Sequence, residues 1–225
     1  MFAVVLTGLG LTKLNFNGDG VTATMGLAAN IRRDLKFAGG LRRLLKRIKP
    51  ITLDSPVLIC DDFEEAVDRF GSNIAVEDEG RSLTYRDLDA MANRYAHWAR
   101  SRNLRHSDVI GLVMCNRAEY LAAWLGFSKV GIATALINTN LTGQALAHCL
   151  NIVGVSQVVA DEECWQNCEQ ARPHVSRTMM LWVLGLKSED EIGERRNLDN
   201  TLRSGSSVRP VADARAGITN RDTAL

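Results

Sequence analysis

The chain has 225 residues, 27 Lys+Arg against 26 Asp+Glu, a formal net charge of +1 and 46% hydrophobic residues. A globule of this length buries roughly 70% of its unfolded surface, so it needs neither a disulfide nor a metal to hold a core. With 18 Gly, 4 Pro and no charge excess, collagen-like, wholly disordered and globally basic nucleic-acid-binding classes are excluded.

Met1 to Leu11 is apolar and uncharged. It is shorter than the roughly 20 residues a membrane-spanning helix needs, and no basic n-region precedes it as in a secretory signal. Residues 1–30 read as a loose leader. Residues 31–50 differ sharply: Arg32, Arg33, Lys36, Arg42, Arg43, Lys46, Arg47 and Lys49 face only Asp34, a local charge of +7 that leaves −6 for the remainder. Ile31, Leu35, Ala38, Leu41, Leu44, Leu45 and Ile48 recur at helical spacing, which predicts a basic amphipathic helix ended by Pro50. Such a helix either packs its Leu/Ile stripe onto the body or lies on an anionic lipid surface. In the second case Arg32, Arg33, Lys36, Arg42, Arg43, Lys46 and Arg47 are the membrane-surface residues, each contributing about 1 kcal/mol. Nucleic acid is not expected as a partner, because no aromatic interleaving or reading motif accompanies the charge.

From Leu58 helices and strands alternate. Asp61 and Asp62 open a short helix, and Asn73 to Val76 is a short apolar run before the turn at Glu79-Gly80. Thr84 with Asp87 imitates a capping box for a helix that buries Leu88, Met91, Ala92, Tyr95, Ala96 and Ala99. Val109 to Met114 has strand length and is continuously apolar. Asn116 with Glu119 signals the cap of the next helix, which is apolar nearly all round, with Lys129 complementing the dipole of its last turn and Gly131 ending it. Ile132–Ile137, Val155–Ala160 and Met179–Leu184 are further strands, separated by helices over Gln144–Ile152 and about Glu162–Gln170. Continuous apolar strands between helices predict an α/β fold over 58–186, a mostly parallel sheet flanked by helices on both faces. Periodicity is lost over 187–225, which reads as a linker.

Motifs that carry chemistry are scarce. Cys60, Cys115, Cys149, Cys164 and Cys168 are odd in number and sit in predicted elements, so no disulfide framework is expected. Cys164 and Cys168 read as small apolar residues one helical turn apart, and no metal site follows from their spacing. His148 and Cys149 are adjacent and point apart on a helix, so they make no nucleophile pair. Asn138, Thr139 and Asn140 follow a parallel strand at the end where α/β sheets place ligand crevices; they are either a crevice edge or turn and cap residues. Ser204 to Ser207 follows no apolar strand and lacks a Gly-Lys-Ser/Thr ending, so it is not read as a phosphate loop. Spacing alone supports no reaction and no catalytic residue.

Leu83-Thr84-Tyr85-Arg86-Asp87-Leu88, Asn116-Arg117-Ala118-Glu119-Tyr120 with Lys129-Val130-Gly131, and Ala135-Leu136-Ile137-Asn138-Thr139-Asn140-Leu141 resemble the early region of acyl-adenylate-forming, AMP-binding enzymes. With His148-Cys149-Leu150 and the leader Asn30-Ile31-Arg32-Arg33-Asp34-Leu35, the pattern is similar to long- and very-long-chain acyl-CoA synthetases related to fatty-acid transport proteins. The resemblance implies part of the N-terminal domain of such an enzyme, which uses ATP, Mg2+ and CoA to activate a long-chain fatty acid through an acyl-adenylate. It also implies that the family's phosphate loop would begin after Asp222-Thr223-Ala224-Leu225. The expectation is therefore an N-terminal portion that binds none of these cofactors alone and is inactive without a complementing C-terminal chain. Cytoplasmic placement with peripheral attachment to the inner face of a membrane is expected. The other reading is a non-catalytic, membrane-associated binding module or a pseudogene product.

Overall fold

The computed structural model describes residues 34–35, 37–42, 52–78, 80–106, 108–187 and 191–223. It divides into two units, 1–51 and 52–225, each described by itself. In the first, residues 34–35 and 37–42 are helical, and Leu35, Phe37 and Leu41 are exposed. Of the basic residues expected at a membrane surface, Arg42 is helical and exposed. Arg32, Arg33, Lys36, Arg43, Lys46 and Arg47, like the leader 1–30, lie outside the described residues.

The second unit opens with α1 (Ile59–Phe70), where Asp61 accepts a hydrogen bond from the Leu58 N–H at 2.7 Å and so closes the first turn. The antiparallel hairpin β1 (Ile74–Asp78) and β2 (Arg81–Thr84) leads into α2 (Tyr85–Ser101). The expected capping box is present: Thr84 accepts from the Asp87 N–H at 3.2 Å, and Asp87 accepts from the Thr84 N–H at 3.0 Å. Next come β3 (Val109–Val113), α3 (Ala118–Ser128), β4 (Ala133–Leu136), α4 (Gly143–Val153), β5 (Gln157–Ala160), α5 (Trp165–Ala171) and β6 (Met180–Val183). With a last strand β7 (Arg195–Asn197), the sheet has the order β4-β3-β5-β6-β7 and every pairing in it is parallel, as the continuous apolar strands predict.

Strand alternation builds two cores. Ile110, Leu112, Val159 and Trp182 face one layer with Tyr95, Trp98, Phe127, Leu198 and Leu202. Val113, Val158, Ala160, Leu181 and Val183 face the other with Leu146, Leu150, Cys164 and Cys168. The first layer depends on close approach of α2 and α3: a Cβ at Gly126 would overlap the Ala92 carbonyl oxygen.

Two expectations are corrected. The stretch after Lys187, read as a linker, contains β7 (Arg195–Asn197), paired with β6, and α6 (Leu198–Ser204). These elements are too short to show a period: β7 is three residues, and α6 buries only Leu198 and Leu202 while Asn197 caps it by accepting from the Asn200 N–H. Lys129, read as a cation complementing a helix dipole, is instead wholly buried. Its Nζ lies 2.5 Å from Glu64 Oε1 on α1 and 2.7 Å from Asp89 Oδ1 on α2. Arg215 lies 2.8 Å from Glu64 and 2.6 Å from Asp61, and Arg209 lies 3.0 Å from Asp68. The ammonium thus ties three helices together, and Arg215 and Arg209, 2.8 Å and 3.6 Å from Glu64, bind the chain after α6 to one of its carboxylate partners.

Candidate functional site

An open parallel sheet forms a crevice where successive connections leave in opposite directions. Here β3 connects to β4 on one side, while β5, its neighbour on the other side, connects onward to β6. The switch point therefore lies between the carboxyl ends of β3 and β5. The residues just past those ends are Cys115 and Asp161.

Asp161 is fully buried and its carboxylate ties the two loops together. It accepts from the Cys115 N–H at 2.7 Å, the Cys164 N–H at 2.9 Å and the Glu163 N–H at 3.2 Å. The sulfurs of Cys115 and Cys164 are 3.8 Å apart, and Glu163 Oε2 lies 3.7 Å from the Cys115 sulfur. Burial, reinforced by the Asp161 charge, raises both thiols above their ordinary value, so neither is an activated nucleophile. Cys115, Asp161 and Cys164 each place a possible ligand atom within 4.8 Å of the others.

Beside this cluster runs an ion-pair chain. Arg117 joins Glu162 and Glu119, both at 3.1 Å, and Arg81 joins Glu119 at 3.2 Å and Asp78 at 2.9 Å. The cap expected from Asn116 is supplied instead by Asp78, which accepts from the Ala118 N–H at 2.9 Å. The hairpin is thereby fixed to the first turn of α3. A cavity of about 380 Å³ opens nearby, lined by Tyr95, Glu119, Leu184 and Asp199 among others.

Asn138, Thr139 and Asn140 follow β4, one strand away from the switch point. Asn138 Oδ1 accepts from the Asn140 N–H at 2.9 Å, which is a turn, and the Thr139 carbonyl accepts from Asn167 at 3.3 Å. The turn reading accounts for these contacts. Ser204 donates to the carbonyls of Asn200 and Thr201, and the Ser207 carbonyl accepts from Asn93 at 2.9 Å. This serine-rich stretch is engaged in holding α6 and the chain after it.

The sequence reading missed the Cys115–Asp161–Cys164 cluster because its members are far apart in the chain. One partial signal was available: Cys115 and Asp161 each stand just past a predicted strand, although the order of the strands was not legible.

A family model described as AMP-binding enzyme matches residues 63–219. Mouse "Long-chain fatty acid transport protein 6" is 31% identical over 105 residues, 46% of this chain and 17% of that protein. "Medium/long-chain-fatty-acid--CoA ligase FadD6" of Mycobacterium tuberculosis is 30% identical over 101 residues, 45% and 17% of the two chains. A solved anthranilate CoA ligase, AuaEII in complex with anthranoyl-AMP, superposes with a TM-score of 0.63 at 18% identity, over 70% of this chain and 30% of that one. That likeness establishes the fold, an α/β arrangement of parallel sheet and flanking helices shared with part of that ligase. The matches span about a sixth of the length of these two curated relatives.

The ion-pair chain predicts an acid dependence of stability. Hydrogen bonds from the Ala118 N–H and Arg81 hold the Asp78 carboxyl below its ordinary value. Burial alone would raise Glu119, but bonds from Arg81, its own backbone N–H and Arg117 outweigh it and hold it low. A carboxyl depressed in the folded state stabilises above its unfolded value of about 4, and that stability is lost as pH falls through the folded value. Asp78→Asn should therefore be less stable than the parent chain at pH 7 and lose less on acidification below about pH 4. Denaturant unfolding across that range checks this, and parallel pH profiles for the two proteins would contradict it.

Proposed function

The chain belongs to the AMP-binding enzyme family, and from that premise we propose that these residues form the N-terminal part of a long-chain fatty-acid–CoA ligase. The observation that carries the reading is the kind of relative found at about 30% identity: proteins named for long-chain fatty acid transport and for medium- and long-chain fatty-acid–CoA ligation. In this reading the chain provides scaffold. The sheet, the buried ion pairs and the hairpin fixed by Asp78 set the relative positions of loops at the carboxyl edge, where adenylation takes place in the whole enzyme. ATP, Mg2+ and CoA are cofactors of that whole enzyme. In this reading a C-terminal part of the whole enzyme completes the adenylating step.

The purified 225-residue chain, given palmitate, ATP and Mg2+, should release no pyrophosphate above an enzyme-free blank. A coupled pyrophosphate assay measures this, and release that scales with protein concentration would refute the reading.

A specific observation also favours peripheral membrane attachment. Leu35, Phe37 and Leu41 are exposed on a helical stretch within the +7 segment. No helix among the described residues is long and apolar enough to cross a membrane. We propose that this segment lies on anionic lipid, its apolar side chains in the interface and its basic residues at the headgroups. At about 1 kcal/mol per charge, neutralising Arg42, Arg43, Lys46 and Arg47 together should weaken binding on the order of a hundredfold or more. Co-sedimentation with phosphatidylserine-containing vesicles tests it; unchanged binding by the fourfold variant would sink the electrostatic account.

A further inference from the structure

The cluster at the switch point has a property that the family reading does not use. We propose that Cys115, Cys164 and Asp161 bind a divalent cation of the Zn2+ class, with Glu163 or water completing four-coordination.

The first argument is the sulfur geometry. Two thiolates, each about 2.3 Å from a tetrahedral zinc ion, lie about 3.8 Å apart. The observed separation is 3.8 Å, reached with no movement of either loop. The second is the third donor. Asp161 is fixed by three backbone N–H groups drawn from both cysteine loops, so its carboxylate and the two sulfurs belong to one rigid frame. Each carboxylate oxygen offers about two lone pairs. Oδ2 accepts only the Cys115 N–H among these three bonds, and the Cys164 thiol also bonds to this carboxylate, so a cation would take the place of that thiol proton. The third is the fourth position. Glu163 is exposed, and its Oε2 stands 3.7 Å from the Cys115 sulfur, so it can turn onto the cation or leave that place to water. Arg117, on the same edge, is engaged with Glu162 and Glu119.

Soft sulfur with one or two carboxylates favours zinc, or cobalt as its spectroscopic stand-in, over Mg2+ or Ca2+, which prefer all-oxygen sites. Binding replaces both thiol protons: one cation enters, two thiolates form and two protons leave to solvent. The cation would then join the loops after β3 and β5 across the crevice. The linear spacing of Cys164 and Cys168 conceals the site, because the partner of Cys164 is not Cys168 but Cys115, from the loop after β3. The rival chemistry for two sulfurs this close is a disulfide, which needs an oxidant to accept two electrons.

The reduced, chelator-stripped 225-residue chain, titrated with Co2+, should bind one equivalent with near-ultraviolet thiolate-to-cobalt absorption that Zn2+ abolishes. Cys115→Ser and Cys164→Ser should each weaken binding at least about tenfold, while Cys149→Ser leaves it unchanged. Circular dichroism of each variant confirms folding. On the unaltered chain, Zn2+ should slow alkylation of Cys115, read by peptide mass mapping, and leave the alkylation rate of Cys149 as it was. A missing thiolate band overturns the proposal, as does a band that survives replacement of both Cys115 and Cys164. A Cys115–Cys164 disulfide that forms equally fast with and without Zn2+ also overturns it.

Discussion

Lys129 carries the one charge around which this fold closes. Its ammonium is fully buried, 2.5 Å from Glu64 and 2.7 Å from Asp89, so it draws α1 and α2 onto the end of its own helix. Removing an ion from water costs several kcal/mol, and only near-ideal partners recover that. Here the partners are shared: Glu64 also receives Arg215, which in turn reaches Asp61. Two carboxylates therefore face a lysine and neighbouring arginines, and the network includes the chain beyond α6. An apolar core of the same volume could be as stable, but it would not dictate which segment packs where. The charges specify that α1 and the 209–215 segment meet at the end of α3.

That constraint propagates to the carboxyl edge of the sheet. With α2 and α3 in contact through Gly126, the first turn of α3 has one position, and Asp78 satisfies its Ala118 N–H from the hairpin. Arg81, Glu119, Arg117 and Glu162 then continue in a line from the hairpin to the loop after β5. The same loop begins with Asp161, whose three N–H partners hold the cysteine pair. A rigid edge of this kind suits a domain whose chemistry depends on loops presented at fixed spacing, and suits a cation held between two of them.

Much of the architecture was legible in the sequence because parallel strands advertise themselves. Val109–Val113 and Met180–Val183 lie in continuous apolar runs, and the Thr84–Asp87 box marks its helix to the residue. The 195–204 segment was not legible: a three-residue strand beginning Arg195-Arg196 carries no apolar signal, and only its docking beside β6 makes it a strand. Lys129 misled for a related reason. A cation in the last turn of a helix has a sufficient local explanation, and its burial depends on Glu64 and Asp89, 65 and 40 residues away. Distance also explains the sites. Asn138 to Asn140 were visible as a cluster but form a turn, whereas Cys115 and Asp161 are brought together only by the order of strands.

The buried Lys129 network fixes the helices and, through them, the sheet edge. Its most direct test is equilibrium denaturant unfolding of Lys129→Met, followed by fluorescence of Trp98 and Trp182, which pack edge to face with ring centroids 5.4 Å apart in the first core. Leaving Glu64 and Asp89 buried without their shared partner should cost about 3–5 kcal/mol. A loss below about 1 kcal/mol, with the midpoint nearly unmoved, would contradict the account.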